Sequence, residues 1–148
     1  MSLKAILAAK GGEVVSISPT ADLAAATKLL KGRQIGVLVV LDAGGHLVGI
    51  LSERDIVGAM AENGDVVSQL KVSQVMTPKV STCDVNDSIG SVIERMTEGK
   101  FRHMPILDKD RLAGIVSNRD LLKWHLETIR EHVREIEASF AELDLIRL

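Results

Sequence analysis

Gly49-Ile50-Leu51-Ser52-Glu53-Arg54-Asp55 returns 65 residues later as Gly114-Ile115-Val116-Ser117-Asn118-Arg119-Asp120. Each copy follows an acidic turn, reads as a short buried strand running into a helix, and sets a hydroxyl three residues before a carboxylate. The echo extends outward. Ile35 to Asp42 lies over Phe101 to Asp108, and Val14-Val15-Ser16 lies over Val80-Ser81-Thr82, both at an offset of 66. One residue is lost in the second turn, where Asp42-Ala43-Gly44-Gly45-His46 becomes Asp108-Lys109-Asp110-Arg111. Two copies of roughly 50 to 60 residues account for most of the chain, which is the signature of a duplicated supersecondary unit.

Bulk composition fits such a duplication and narrows the function. A chain of 148 residues suits one compact domain or two half-domains sharing a core. Apolar residues make up 46% and aromatics only 2%, so the core must be built from Val, Ile, Leu, Ala and Met. The 18 basic and 20 acidic residues are interspersed, leaving no basic stripe to draw in nucleic acid or a membrane surface. Cys83 is the only cysteine, so an intrachain disulfide is impossible and a reducing compartment is expected. In its apolar-flanked strand it reads as a small buried hydrophobe rather than a reactive thiol. The apolar part of Met1 to Lys10 is too short for a signal peptide, and nothing approaches the ~20 apolar residues that span a bilayer. The expectation is a soluble, cytoplasmic protein.

Along the chain, Ser2 caps a short helix from Leu3 to Ala9 that Gly11-Gly12 terminates and that is expected to pack on the first half. Glu13 to Ser18 reads as a strand stopped by Pro19. A helix opens at Asp22 and ends at Gly32. Ile35 to Leu41 is apolar almost without break, as in a strand covered on both faces, and a turn at residues 42–45 leads into a strand from Leu47 to Leu51. Ser52 caps a helix from Glu53 to about Ala61. After a connector, the second half repeats the order: strand Lys79 to Cys83, helix Ser88 to Glu98, strand Met104 to Leu107, strand Leu112 to Val116, helix from Asn118. Pro105 cannot donate to a ladder and is expected at a strand start or edge. The implied organisation is an N-terminal helix and turn at 1–12, a first repeat at 13–64, a connector at 65–78, a second repeat at 79–125 and a helical extension at 126–148.

That final helix does not stop where its counterpart does. Leu122, Leu126, Ile129, Val133, Ile136, Phe140 and Leu143 step by 4, 3, 4, 3, 4, 3, with Glu127, Glu131, Arg134, Glu135 and Glu142 between them. This is a heptad seam, although an amphipathic helix lying on its own domain would show a related stripe.

With these motifs in view, both copies resemble CBS domains, the small modules first described in cystathionine β-synthase. The resemblance rests on the hairpin followed by G-I-L-S-E-R-D or G-I-V-S-N-R-D, on V-M-T-P between the copies and on F-R-H-M-P-I in the second, and it covers roughly residues 13 to 140. It implies an α/β fold of two pseudo-twofold β-α-β-β-α units with small packed sheets and two clefts, plus the long C-terminal helix. It further implies adenosine-containing ligands there: AMP first, with NAD(H), ATP or S-adenosylmethionine as others.

The chemistry of those clefts can be argued from the residues too. Ser-x-x-Asp at a helix start is a capping box, which explains it with no ligand at all. A carboxylate offers only acceptors, which suit the diol of ribose, while a helix N-terminus attracts phosphate. By resemblance, Asp55 and Asp120 hold ribose, and Ser52 and Ser117 lie near ribose or phosphate. Arg54, Arg119, Arg102 and His103 add charge for phosphate. Val15, Ile17, Val80, Ile106 and Ile115 could wall an adenine, read by main chain near Ser16 and Thr82. Because Arg102 and His103 belong to the second half, the cleft of Ser117 and Asp120 is the expected binding site.

Catalysis has little support. His46, His103, His125 and His132 show no zinc-like spacing with Cys83, and neither a Gly-rich phosphate loop nor a nucleophile–base pair is visible, so no metal is expected. A regulatory binding module is the favoured reading, with a homodimer formed through helical faces and the C-terminal seam. The alternative is a structural interaction protein that works through its C-terminal helix without sensing a ligand.

Overall fold

The computed structural model describes residues 2–11 and 13–146. The elements run α1 (Leu3–Lys10), β1 (Ser16–Ile17), α2 (Leu23–Arg33), β2 (Val37–Leu41), β3 (Leu47–Ser52) and α3 (Glu53–Asn63). A 3-10 helix (Gly64–Gln69) and α4 (Val72–Val75) then lead to β4 (Cys83–Asp84), α5 (Ile89–Gly99), β5 (His103–Asp108), β6 (Arg111–Ser117) and α6 (Asn118–Ile146). The two halves build equivalent three-stranded sheets, ordered β1-β2-β3 and β4-β5-β6, each with one parallel and one antiparallel pairing.

Local chemistry sets these boundaries. Asp22, Ser52 and Ser88 cap their helices, each side chain accepting from the amide three residues on. α2 runs through Gly32 and is ended by Gln34, whose left-handed backbone (φ 54°) lets its amide reach Leu30 and Lys31. Lys100 ends α5 in the same conformation. The first strand of each half is only two residues long, because it pairs in parallel with just two residues of the central strand. Before β4, Lys79, Val80 and Ser81 stay outside the ladder and line the cavity between the halves.

Pro105 lies inside the central strand β5, not at a strand start or an outer edge. β4 pairs only with Ile106 and Leu107, so no ladder on that side requires an amide from Pro105.

Each half carries its own core. Leu23, Leu30, Leu38, Val40, Leu51 and Val72 are buried together in the first. Val92, Met96, Met104, Ile106 and Val116 form the centre of the second, and Leu3 and Ile6 join them. Thus α1 packs on the second half, contrary to the sequence expectation. Duplication explains it: α4 precedes the second repeat and packs on the first, as α1 precedes the first and packs on the second. The contacts match. A Cβ on Gly49 would run into Met76, and a Cβ on Gly114 would run into Leu7, so each glycine admits the helix of the opposite half.

Candidate functional site

A cavity of about 360 Å³ opens between the halves, within the ~300–1,000 Å³ usual for ligand pockets. Gly36, Val37, Ile50 and the start of α3 line it from the first half. Lys79, Val80, Ser81 and Lys100 to His103 line it from the second. Both repeats therefore shape one site.

At its floor, Ser52 and Asp55 form a complete capping box. The Ser52 amide donates to Asp55 Oδ2 at 2.8 Å, and the Asp55 amide donates to Ser52 Oγ at 3.2 Å. The Glu53 amide donates to the Gly36 carbonyl at 3.0 Å. Two of the first three α3 amides are thereby committed, so side chains supply most of the donors left to face the cavity. Among the described residues Asp55 Oδ1 has no hydrogen-bond partner, and this half-buried carboxylate keeps acceptor capacity facing the cavity.

Around it stand Arg54, Lys79, Lys100 and Arg102, against Glu53 and Asp55. Among the described residues none of the four cations is engaged in an ion pair. Val37, Ile50, Val80 and Phe101 supply apolar wall. His103 is half-buried at the border of the two halves. Burial, then the charges of Lys10 and Arg102, lower its pKa below the ordinary value, with Asp120 opposing them.

In the other half a lysine reaches the equivalent aspartate. Asp120 Oδ2 accepts from the Ser117 amide and from Ser117 Oγ, both at 2.9 Å, and from Lys10 Nζ at 2.6 Å. Lys10 Nζ also donates to the Ile115 carbonyl at 2.8 Å. Burial alone would raise the Asp120 pKa. The Lys10 and Ser117 hydrogen bonds and the Lys10 charge outweigh it and hold the carboxyl below its usual range.

The cavity groups the expected site residues differently, although His103 is also the ladder partner of Ser117. Arg102 and His103 share the open cavity with Ser52, Arg54 and Asp55, whereas Ser117 and Asp120 are tied to Lys10. Arg119 is exposed and outside the cavity lining, as is Ser16 on β1. The Thr82 carbonyl accepts from Arg95 Nη1 at 2.9 Å. Of the expected adenine walls only Val80 lines the cavity; Ile106 is fully buried in the second core, and Val15 and Ile17 pack on the first.

Lys79, Lys100 and Phe101 were not among the site residues expected from the sequence, and neither was Lys10. The signal for the lysines lay in spacing: Leu3, Ile6, Leu7 and Lys10 have the same steps as Val72, Val75, Met76 and Lys79. Lys10 pairs with Asp120, while its counterpart Lys79 lines the cavity without an ion pair to Asp55.

The CBS domain model matches residues 10–62 and 72–127. A CBS-domain containing protein, ATU1752 from Agrobacterium tumefaciens, is 40% identical and superposes with a TM-score of 0.80, covering 82% of this chain and 91% of that one. An uncharacterised 17.7 kDa protein of Acidianus ambivalens is 38% identical over 116 residues, 78% of this chain and 69% of that protein. The CBS domain pair of protein MJ0100, solved in complex with 5'-methylthioadenosine and S-adenosyl-L-methionine, is 25% identical with a TM-score of 0.75, over 84% of this chain and 99% of that one. Two family matches, two equivalent sheets and an inter-repeat cleft agree: this chain belongs to the CBS domain family, and it carries the domains as a tandem pair.

Proposed function

We propose that the chain is a regulatory module that binds an adenine nucleotide, AMP first, in the cleft of Ser52 and Asp55. One observation carries the reading: Asp55 lines a cavity that both repeats shape and, among the described residues, has no ion pair, while its counterpart Asp120 holds Lys10 on Oδ2 and lies outside that lining. Asp55 suits a ribose hydroxyl. Val80, Ile50 and Phe101 suit a flat base, and Arg54, Lys79, Lys100 and Arg102 suit phosphate. Four fixed cations against two carboxylates leave about two positive charges, close to the charge of a phosphate monoester at neutral pH. The ligands of the MJ0100 domain pair, both adenosine derivatives by name, support the class. A ligand there touches both halves at once, so occupancy would fix their relation and give a partner something to read.

Calorimetry with AMP, ATP, NADH and S-adenosylmethionine tests it. AMP should bind with one site per chain. If none binds at millimolar concentration, the sensing reading is wrong. The second reading, an interaction protein working through α6, then gains ground, because the apolar seam of that helix is exposed along its length.

A further inference from the structure

From His125 onward α6 leaves the body of the protein, and every residue to Ile146 is exposed except Thr128. Its seam has no cover among the described residues: Leu126, Ile129 and Val133 are 45–47% exposed, and Ile136, Phe140 and Leu143 are 55–64% exposed. In heptad terms Leu126, Val133 and Phe140 are a positions, and Leu122, Ile129, Ile136 and Leu143 are d positions. One row flanking the seam reads Lys123, Arg130, Glu137, Asp144. The other reads His125, His132, Ser139, Ile146.

The charged row opposes the dipole of its own helix. Bases sit toward the N-terminus and acids toward the C-terminus, and the last turn holds no base. An antiparallel neighbour reverses that penalty. It sets Leu126 against the partner's Leu143 and Val133 against the partner's Ile136. In that register Lys123 faces the partner's Asp144 and Arg130 faces the partner's Glu137, and twofold symmetry makes each pair twice. A parallel neighbour would instead set His125 against Arg130, His132 against Glu137 and Ser139 against Asp144. Only one of those is an ion pair, and only when the histidine is protonated.

We infer that α6 pairs with α6 of a second copy of this chain as an antiparallel coiled coil centred between Val133 and Ile136. The stretch from Leu126 to Leu143 spans about 26 Å, so the two CBS bodies lie at opposite ends of the shared rod. This pairing does not depend on the nucleotide reading.

Oxidative cross-linking of the full chain discriminates the arrangements. Cys83 does not compete, because it is buried and its thiol is pushed up to about 11. Leu126→Cys and Leu143→Cys, each oxidised alone, should give no dimer, whereas an equilibrated mixture of the two should give a disulfide-linked heterodimer. Dimer in the separate preparations means parallel helices and overturns the proposal. So does a wild type that sediments as a monomer at tens of micromolar. As a second readout, Arg130→Glu should weaken dimerisation at least tenfold, and adding Glu137→Arg to the same chain should restore it. Far-UV circular dichroism confirms that each variant folds, and a folded double variant that stays as weak as Arg130→Glu overturns the proposal.

Discussion

Asp55 and Asp120 occupy equivalent capping boxes and differ in one neighbour, the lysine that reaches only the second. That difference converts one carboxylate from a structural acceptor into a candidate ligand group. Asp55→Asn should weaken AMP binding roughly 10- to 100-fold, the value of a charge-assisted hydrogen bond, while changing stability by less than about 1 kcal/mol; calorimetry and urea unfolding read the two effects. Equal loss of stability and unchanged affinity would return Asp55 to a purely capping role. His103 carries a pH prediction at the same scale. Its folded pKa is depressed, so the unfolded chain binds more protons between about 6.5 and the folded value, and stability is lost as pH falls through that window. The depressed carboxylate Asp120 contributes above 3.8 and is lost only below it, so the two effects are separable. Bound phosphate should raise the His103 pKa and tighten AMP binding on acidification from pH 8 to 6.5, a trend that His103→Gln should flatten. Which aspartate is free could not be read from the motif. Ser-x-x-Asp is identical in both copies, and the lysine that separates them lies 110 residues from Asp120.

At the scale of elements, α1 sets the surroundings of Asp120. Its Leu3 and Ile6 anchor it in the second core, Leu7 seats over Gly114, and Lys10 then reaches Asp120. Lys10→Met should keep the anchor and vacate the plug, raising AMP stoichiometry from one to two per chain in calorimetry. A stoichiometry that stays at one would show that the second cleft is closed by more than the lysine. Gly114→Ala should strain the seat of α1 and cost about 1–3 kcal/mol in denaturant unfolding. Most elements were legible from period and caps: Asp22, Ser52 and Ser88 announce their helices, and the apolar run into Leu41 announces a central strand. Misreadings arose where tertiary contact overrides a local sign. Gly32 looked like a stop, but the cap is made by Gln34 because Ile35 must turn back to bond Leu30. The docking of α1 was misplaced for a similar reason, since a repeat's leading helix crosses to the other repeat and no local pattern says so.

For the whole molecule, duplication was the strongest signal, and it settled the tandem architecture before any side-chain contact was known. What it left open was the surface of the two repeats, where no period separates an apolar residue that packs from one that faces solvent. Val57 and Met60 on α3 are more than 60% exposed, Ile93 on α5 is 38% exposed, and the α6 seam stands apart from all of them. Two surfaces are therefore candidates for self-association, the helical faces of the body and the proposed rod. Introducing Ile129→Asp together with Ile136→Asp should dissociate the rod by placing carboxylates at adjacent d layers, where desolvation of a charge is costly. The proposed nucleotide cleft is lined by residues between Gly36 and His103 of a single chain, so the resulting monomer should still bind AMP at one site with unchanged affinity. Sedimentation equilibrium and calorimetry on the same sample decide both points. A dimer that survives assigns association to the faces around Val57 and Met60. A monomer that no longer binds would mean that assembly completes the cleft, and the two functions could then not be separated.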